Sequence, residues 1–229
     1  APQTVQSSVR LDGRPPPLSG PPGSAVGGLG VCAPLYASAG SVVANPSVLL
    51  LGGGGCALPP VLRRALGATV TAVEPDDEVR SIACEYFDAS CELVGGCGAE
   101  AVAKAGDRSF DLVVVDAADG TGAPPAALST PAFFADVGRV LTEPAVLAVN
   151  VVARDAETLA RVRDAAACVG GELFECELPA PLVAEGSPDF ARLLFAVRGD
   201  AFPSLAGHHP LLAYVDEGEL WMQGFRGLA

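Results

Sequence analysis

Basic residues are scarce in this chain of 229 residues: 14 Lys and Arg stand against 27 Asp and Glu, a formal net charge of −13. No Lys/Arg cluster offsets that charge locally, so it repels phosphate backbones and argues against a nucleic-acid partner. A basic protein or a polyamine is compatible with it, and so is the plainer reading that acidity keeps the chain soluble. No C-x-x-C pair occurs among Cys32, Cys56, Cys84, Cys91, Cys97, Cys168 and Cys176. Neither a zinc ribbon nor a disulfide ladder is therefore suggested, and reduced, mostly buried thiols are expected. The two histidines, His208 and His209, are adjacent. They lack further ligands at a recognised spacing, so no metal site is expected and solvent-exposed tail residues are the better reading. Apolar runs such as 145–153 are interrupted well short of the ~20 residues that a spanning helix needs, which argues against a membrane. The expected compartment is intracellular, the cytoplasm first. An organelle stays open because the chain starts at Ala1 rather than Met.

What is present is apolar and periodic. Half of the residues are hydrophobic, enough for one domain of ordinary size with a sizeable core. Residues 1–30 are rich in Pro, Gly and Ser, including Pro15-Pro16-Pro17 and Pro21-Pro22, and read as a flexible arm. Residues 31–198 read as the folded domain, and 199–229 as a C-terminal extension carrying Trp221 and Phe225.

From Ser47 onward, short β-rich runs alternate with helical segments, the pattern of βαβ units around a parallel sheet. Strands are predicted at 48–51, 69–73, 91–94, 110–115 and 146–152. Helices are predicted at 61–66, 76–87, 99–104, 131–141 and 155–169. Two further strand-like runs, 172–177 and 192–197, are joined without a helical pattern, so they are expected to pair as an antiparallel hairpin. The predicted fold is α/β: a doubly wound, mostly parallel, seven-stranded sheet, Rossmann-like, closed by that hairpin. The loop 117–130 is longer than a connection needs, and such loops are often functional.

Gly52-Gly53-Gly54-Gly55 follows a buried strand and precedes a helix. There a backbone must turn sharply and let a ligand approach without side chains in the way. Glu74 lies about 20 residues on, at the tip of the next predicted strand, where a carboxylate can accept from both hydroxyls of a ribose. Glycines alone do not identify the ligand, because Gly52-x-Gly54-x-x-Ala57 also satisfies the dinucleotide fingerprint. Three features favour an adenosyl sulfonium over a nicotinamide: the Pro59-Pro60 interruption, the closing hairpin, and the Phe110–Asp116 strand with its acidic tip. None of Tyr36, Tyr86 or Tyr214 is followed four residues later by the Lys that a short-chain reductase uses.

Taken together, the Leu-Gly-Gly-Gly loop, Val73-Glu74-Pro75-Asp76 and Phe110-Asp111-Leu112-Val113-Val114-Val115-Asp116-Ala117-Ala118-Asp119 resemble two related groups of class I, S-adenosylmethionine-type folds. These are the spermidine synthase-like aminopropyltransferases and the lysine and N-terminal methyltransferases acting on translation elongation factor 1-alpha. The resemblance runs from Val48 to about Val197. Leu58-Pro59 and Asn150-Val151-Val152-Ala153-Arg154-Asp155 look closer to the second group.

The resemblance implies S-adenosylmethionine as cofactor, held by Gly52 to Gly55, Glu74, Cys97, Gly98 and Asp116. Its reaction would be methyl transfer to an amine of a protein. Asp116 and Asp119 are the candidate catalytic carboxylates, able to hold an amine and help it shed its proton; capping of their own loop is the structural alternative. Asn150 and Arg154 are candidate substrate-binding residues, and Arg154 could equally pair with Asp155 or Asp116.

One position departs from the pattern. Where these groups place a Gly-Asp or Ala-Asp pair after the third strand, Gly96 is followed by Cys97 and Gly98. A thiol is a weak hydrogen-bond partner for an adenine amino group, unless Glu100 reaches the site from the next turn. That departure keeps open a non-catalytic reading, in which the fold serves as an assembly subunit and the arm and extension dock a partner protein. An aminopropyltransferase is the more distant alternative.

Overall fold

The computed structural model describes residues 43–87, 89, 91–119, 123–153, 155–177, 190–199 and 225–228, with the backbone alone described for 152, 153, 176, 177, 190, 191 and 225–228. The arm 1–30, most of the extension, His208, His209 and Arg154 lie outside the described residues.

The apolar run Val48-Leu49-Leu50-Leu51 has no polar face to turn to water, so it belongs at the centre of a sheet covered on both sides. It forms β1 (Ser47–Leu51), and all four side chains are at most 2% exposed. Parallel neighbours flank it on either side, β2 (Thr69–Glu74) and β4 (Phe110–Val115). Beyond them lie β3 (Glu92–Gly95) against β2 and β5 (Leu141–Ala153) against β4, also parallel. The hairpin then completes the sheet: β7 (Phe190–Arg198) pairs antiparallel with β5, and β6 (Glu172–Glu177) antiparallel with β7. An eighth strand, β8 (Phe225–Leu228), is added antiparallel to β6, giving the order β3-β2-β1-β4-β5-β7-β6-β8. The seven predicted strands are all present. The eighth, drawn from the C-terminal extension, was not predicted.

Side chains that alternate along the strands divide the core in two. Val48, Leu50, Val114 and Ala148 pack with Leu58 and Leu62 of α1 (Leu58–Leu66) and Ala83 of α2 (Asp77–Tyr86). Leu49, Leu51, Val113 and Val149 pack on the other face with α3 (Gly98–Lys104), α4 (Pro131–Val140) and α5 (Ala156–Ala166). Helix starts follow local chemistry. The side chains of Asp76, Thr130 and Asp155 accept from first-turn amides of α2, α4 and α5, which satisfies donors that the helix itself leaves unpaired.

Several boundaries differ from expectation for identifiable reasons. Pro59 and Pro60 do not interrupt α1; they occupy its first turn, where a missing N–H costs no helical bond. Strand β5 starts at Leu141, five residues before its predicted start, because Thr142-Glu143-Pro144 masks the pattern. The expectation of mostly buried thiols is corrected: of the five cysteines with described side chains, Cys56 is buried and Cys91 intermediate, while Cys84, Cys97 and Cys168 are exposed. Those three stand on the outer side of α2, at the N-cap of α3 and in the 3-10 turn after α5. Among the described residues, no helix is long and apolar enough to cross a membrane and no group of three or more His, Cys, Asp or Glu could hold a metal ion.

Candidate active site

The chain builds outward from β1 through β2 to β3, then returns to β4 on the other side of β1. The order reverses between β1 and β4, and the region beyond the C-terminal ends of strands at such a point is the usual ligand position in open α/β sheets. The glycine loop, Glu74 and Asp116 all lie at those ends.

Gly52 and Gly53 both donate to Val73 O, at 2.9 and 3.1 Å, and the Asp116 amide donates to Leu51 O at 2.9 Å. These bonds draw the ends of β1, β2 and β4 together. Gly52 has φ +98, and a Cβ there would stand 2.6 Å from Asp116 O and 2.7 Å from Ala117 N. Only glycine lets the two loops approach this closely. Gly54 differs: its φ is +49, and no described atom lies within 4 Å of a Cβ built on it, so the backbone presents an open surface. Gly98 serves packing, since a Cβ there would meet Leu128 at 3.3 Å and Leu51 at 3.4 Å.

The Glu74 carboxylate turns back over the loop. Oε2 accepts from Gly54 N at 2.9 Å and Oε1 from Asp76 N at 3.2 Å. One bond to each oxygen leaves acceptor capacity on both, as a carboxylate offers about four lone-pair sites. Arg80 fixes the same corner by donating to Glu74 O at 2.6 Å and pairing with Asp77.

Asp116 is part-buried and accepts from Asn150 Nδ2 at 2.8 Å. Burial disfavours its ionised form and pushes its carboxyl up to about 6, against the smaller downward pull of the Asn150 hydrogen bond. The pairing follows from register. Val115 lies beside Val149, so the next residues of the two parallel strands, Asp116 and Asn150, are neighbours. The other amide atom, Asn150 Oδ1, is buried without a hydrogen-bond partner among the described residues.

The remaining candidates are placed less centrally. Asp119 is exposed, and its amide closes the loop by donating to Ala123 O at 2.8 Å. Cys97 is exposed at the N-cap of α3 without a side-chain bond to the helix. Glu100 pairs with Lys104 at 3.1 Å instead of turning toward the glycine loop. Two features escaped sequence reasoning: the Asp116–Asn150 contact and a thiol pair beside the glycine loop. Cys56 follows the loop at φ +52 and is buried. Its hydrogen bond with Cys91, and then burial, push the Cys56 thiol up, while the same bond lowers Cys91. No motif signals either feature, because each depends on strand register or loop geometry.

Comparison with known proteins bears on this arrangement. No protein-family model matches the sequence. Over 109 residues the chain is 33% identical to the polyamine aminopropyltransferase of Nitrosococcus oceani, a match covering 44% of this chain and 38% of that protein. A spermidine synthase in complex with the transition-state analogue AdoDATO superposes with a TM-score of 0.64 at 21% identity, covering 76% of this chain and 62% of that one. Human methyltransferase-like protein 13, in complex with SAH, superposes with a TM-score of 0.63 at 18% identity, covering 87% and 95%. The fold is that of the class I methyltransferase and spermidine synthase group. Within this fold, the glycine loop, Glu74 and Asp116 stand at the C-terminal ends of β1, β2 and β4. The match to the aminopropyltransferase spans less than two fifths of that protein's length.

Proposed function

We propose that this chain is an S-adenosylmethionine-dependent methyltransferase acting on an amine of a protein. The observation that carries the reading is the cluster at the strand ends: a glycine loop open at Gly54, a carboxylate at Glu74 with acceptor capacity to spare, and the Asp116–Asn150 pair. These residues fit an adenosyl ligand. Gly54 leaves room for it, and Glu74 suits a ribose. Cys97 fits less well than the carboxylate that the resemblance leads one to expect.

When bound, the sulfonium supplies an activated methyl carbon, so no metal is called for. The protein's tasks are orientation, exclusion of water and provision of an unprotonated amine. An alkylamine holds its proton up to a pKa of about 10.4 in water. Asp116, with a carboxyl near 6, is mostly ionised at neutral pH, so it can hold the ammonium and accept the proton that the amine gives up before attack. Asp119 is exposed on the following loop, which suits a role in meeting a protein substrate. The acidic surface suits a basic protein partner.

A second reading, aminopropyl transfer to an amine, is favoured by the match to the polyamine aminopropyltransferase. Calorimetric titration with S-adenosylmethionine and S-adenosylhomocysteine tests the common core. Micromolar affinity, about −8 kcal/mol, that is abolished in Glu74→Ala is expected. Absence of binding to either compound would sink the methyltransferase reading, and absence of binding to decarboxylated S-adenosylmethionine as well would sink the aminopropyl one and favour an assembly role. Product analysis separates the two: S-adenosylhomocysteine follows methyl transfer, methylthioadenosine aminopropyl transfer.

A further inference from the structure

Two thiols from separate parts of the chain meet beside the glycine loop, and the proposed transfer uses neither. Cys56 closes the turn: its amide donates to Gly53 O at 2.8 Å. Its side chain is 1% exposed, in the core cluster that includes Val48, Leu50, Val70 and Ala72. Cys91, just before β3 and partly exposed, packs against the same cluster and shares a hydrogen bond with Cys56. That bond raises the Cys56 thiol and lowers Cys91. The more accessible sulfur therefore has the thiolate character that thiol–disulfide exchange requires. Cys84, exposed on α2, acts on Cys56 only through its charge.

We propose that Cys91 is a modification site for small disulfides and Cys56 its resolving partner, so that oxidation closes a Cys56–Cys91 bridge that weakens adenosyl-ligand binding at the glycine loop. The Cys91 thiolate attacks one sulfur of a small disulfide such as oxidised glutathione, forming a mixed disulfide and releasing one thiol. Cys56 then gives up its proton and attacks the Cys91 sulfur, and the second thiol leaves. Two protein thiols are oxidised and one small disulfide is reduced to two thiols. An S–S bond of about 2 Å is shorter than any hydrogen bond between thiols, so closure draws Cys56 toward Cys91. Cys91 stands before Glu92, whereas Glu74 lies beside Gly95 at the far end of β3. The draw is thus away from Glu74. Through its bond to Gly53, Cys56 carries the turn with it, and the Gly54 amide loses its 2.9 Å contact with Glu74 Oε2. The effect on the ligand rests on the adenosyl reading above.

The test incubates the full chain with oxidised glutathione, maps disulfides by mass spectrometry after blocking free thiols, and titrates S-adenosylhomocysteine by calorimetry. A peptide linking Cys56 to Cys91 is expected. Affinity should fall by about tenfold or more, the size of one hydrogen bond to a charged group, and return on treatment with dithiothreitol. Cys91→Ser should bind as the reduced wild type does, which also reports its folding, and should keep that affinity in oxidised glutathione. Cys84→Ser should form the bridge and lose affinity as the wild type does. A mixed disulfide that stays on Cys91, a link to Cys84 instead, or a bridge that leaves affinity unchanged would overturn the proposal. So would an equal loss in oxidised Cys91→Ser, which would assign the effect to an exposed thiol such as Cys97. All of these outcomes leave the adenosyl reading intact, whereas a reduced wild-type chain that binds no adenosyl compound would overturn that reading and the proposal with it.

Discussion

Glu74 and Cys97 stand at comparable places, at the C-terminal end of β2 and just beyond that of β3, yet the two corners are built differently. The Glu74 carboxylate accepts from Gly54 and Asp76 and ties the strand end to the glycine loop. Cys97 is exposed and makes no side-chain bond to the helix that it precedes. The first corner is therefore set in advance by the protein's own amides, so little ordering would be left to a ligand arriving there. The second offers no comparable anchor. Substitutions can widen or close that gap.

The largest effect is expected at Gly52. Gly52→Ala would push a Cβ to 2.6 Å from Asp116 O at φ +98, against backbone that has no flexible end to give way. A loss of about 3 kcal/mol in denaturant unfolding is expected. Gly54→Ala, with φ +49 and open space, should cost only about 1 kcal/mol while weakening adenosyl-ligand binding. Similar unfolding losses for the two would mean that the β1–β4 approach is not what makes the first corner rigid.

Next in size is Asp116. Its carboxyl is raised from 3.8 to about 6 by burial, so between those values the folded chain binds a proton that the unfolded chain has released. The ionised group therefore opposes folding at neutral pH; stability returns as pH falls through about 6 and the penalty is gone below the ordinary value. Asp116→Asn should stabilise the protein by roughly 2–3 kcal/mol at mildly alkaline pH, with the advantage fading in acid, while ammonium-dependent binding is lost. A pH-independent difference would show that burial of this carboxyl is not what raises it. In the wild type, ammonium-dependent binding should weaken as pH falls through about 6, in the same titration.

The smallest effect is a gain. Cys97→Asp would place a capping carboxylate at the start of α3, worth about 1 kcal/mol in stability, and restore an acceptor. Adenosyl-ligand affinity is expected to rise by about fivefold to tenfold. No change in affinity would show that the β3 corner does not touch the ligand.

The parts of the site that were legible in the sequence are those set by local chemistry. Four glycines after an apolar run can hardly be anything but a sharp turn, and Val73-Glu74 reads as a strand tip because the β-branched run stops there. Strand β4 was equally plain, with Asp116 at its end. What remained hidden depends on register or on weak local signals. Asp116 and Asn150 lie 34 residues apart, and their contact exists because Val115 falls beside Val149. The β8 segment Phe-Arg-Gly-Leu is too short and mixed to show a period. Pro59 and Pro60 read as a break because a sequence does not announce which turn of a helix a proline will occupy.

The reversal at β7 has a consequence for how such a protein can change. Because β7 runs against both β5 and β6, β6 points the same way as β5, and Phe190 at the start of β7 lies beside Ala153. The chain thus leaves the sheet at Glu177 and re-enters at Phe190 along the margin that holds Asn150. The donor-side residues come from the first half of the chain, and this margin comes from the second. Under the proposed function the two halves form separable inheritances: a lineage can rewrite the β5–β7 margin to greet a new amine while the glycine loop and Glu74 stay untouched.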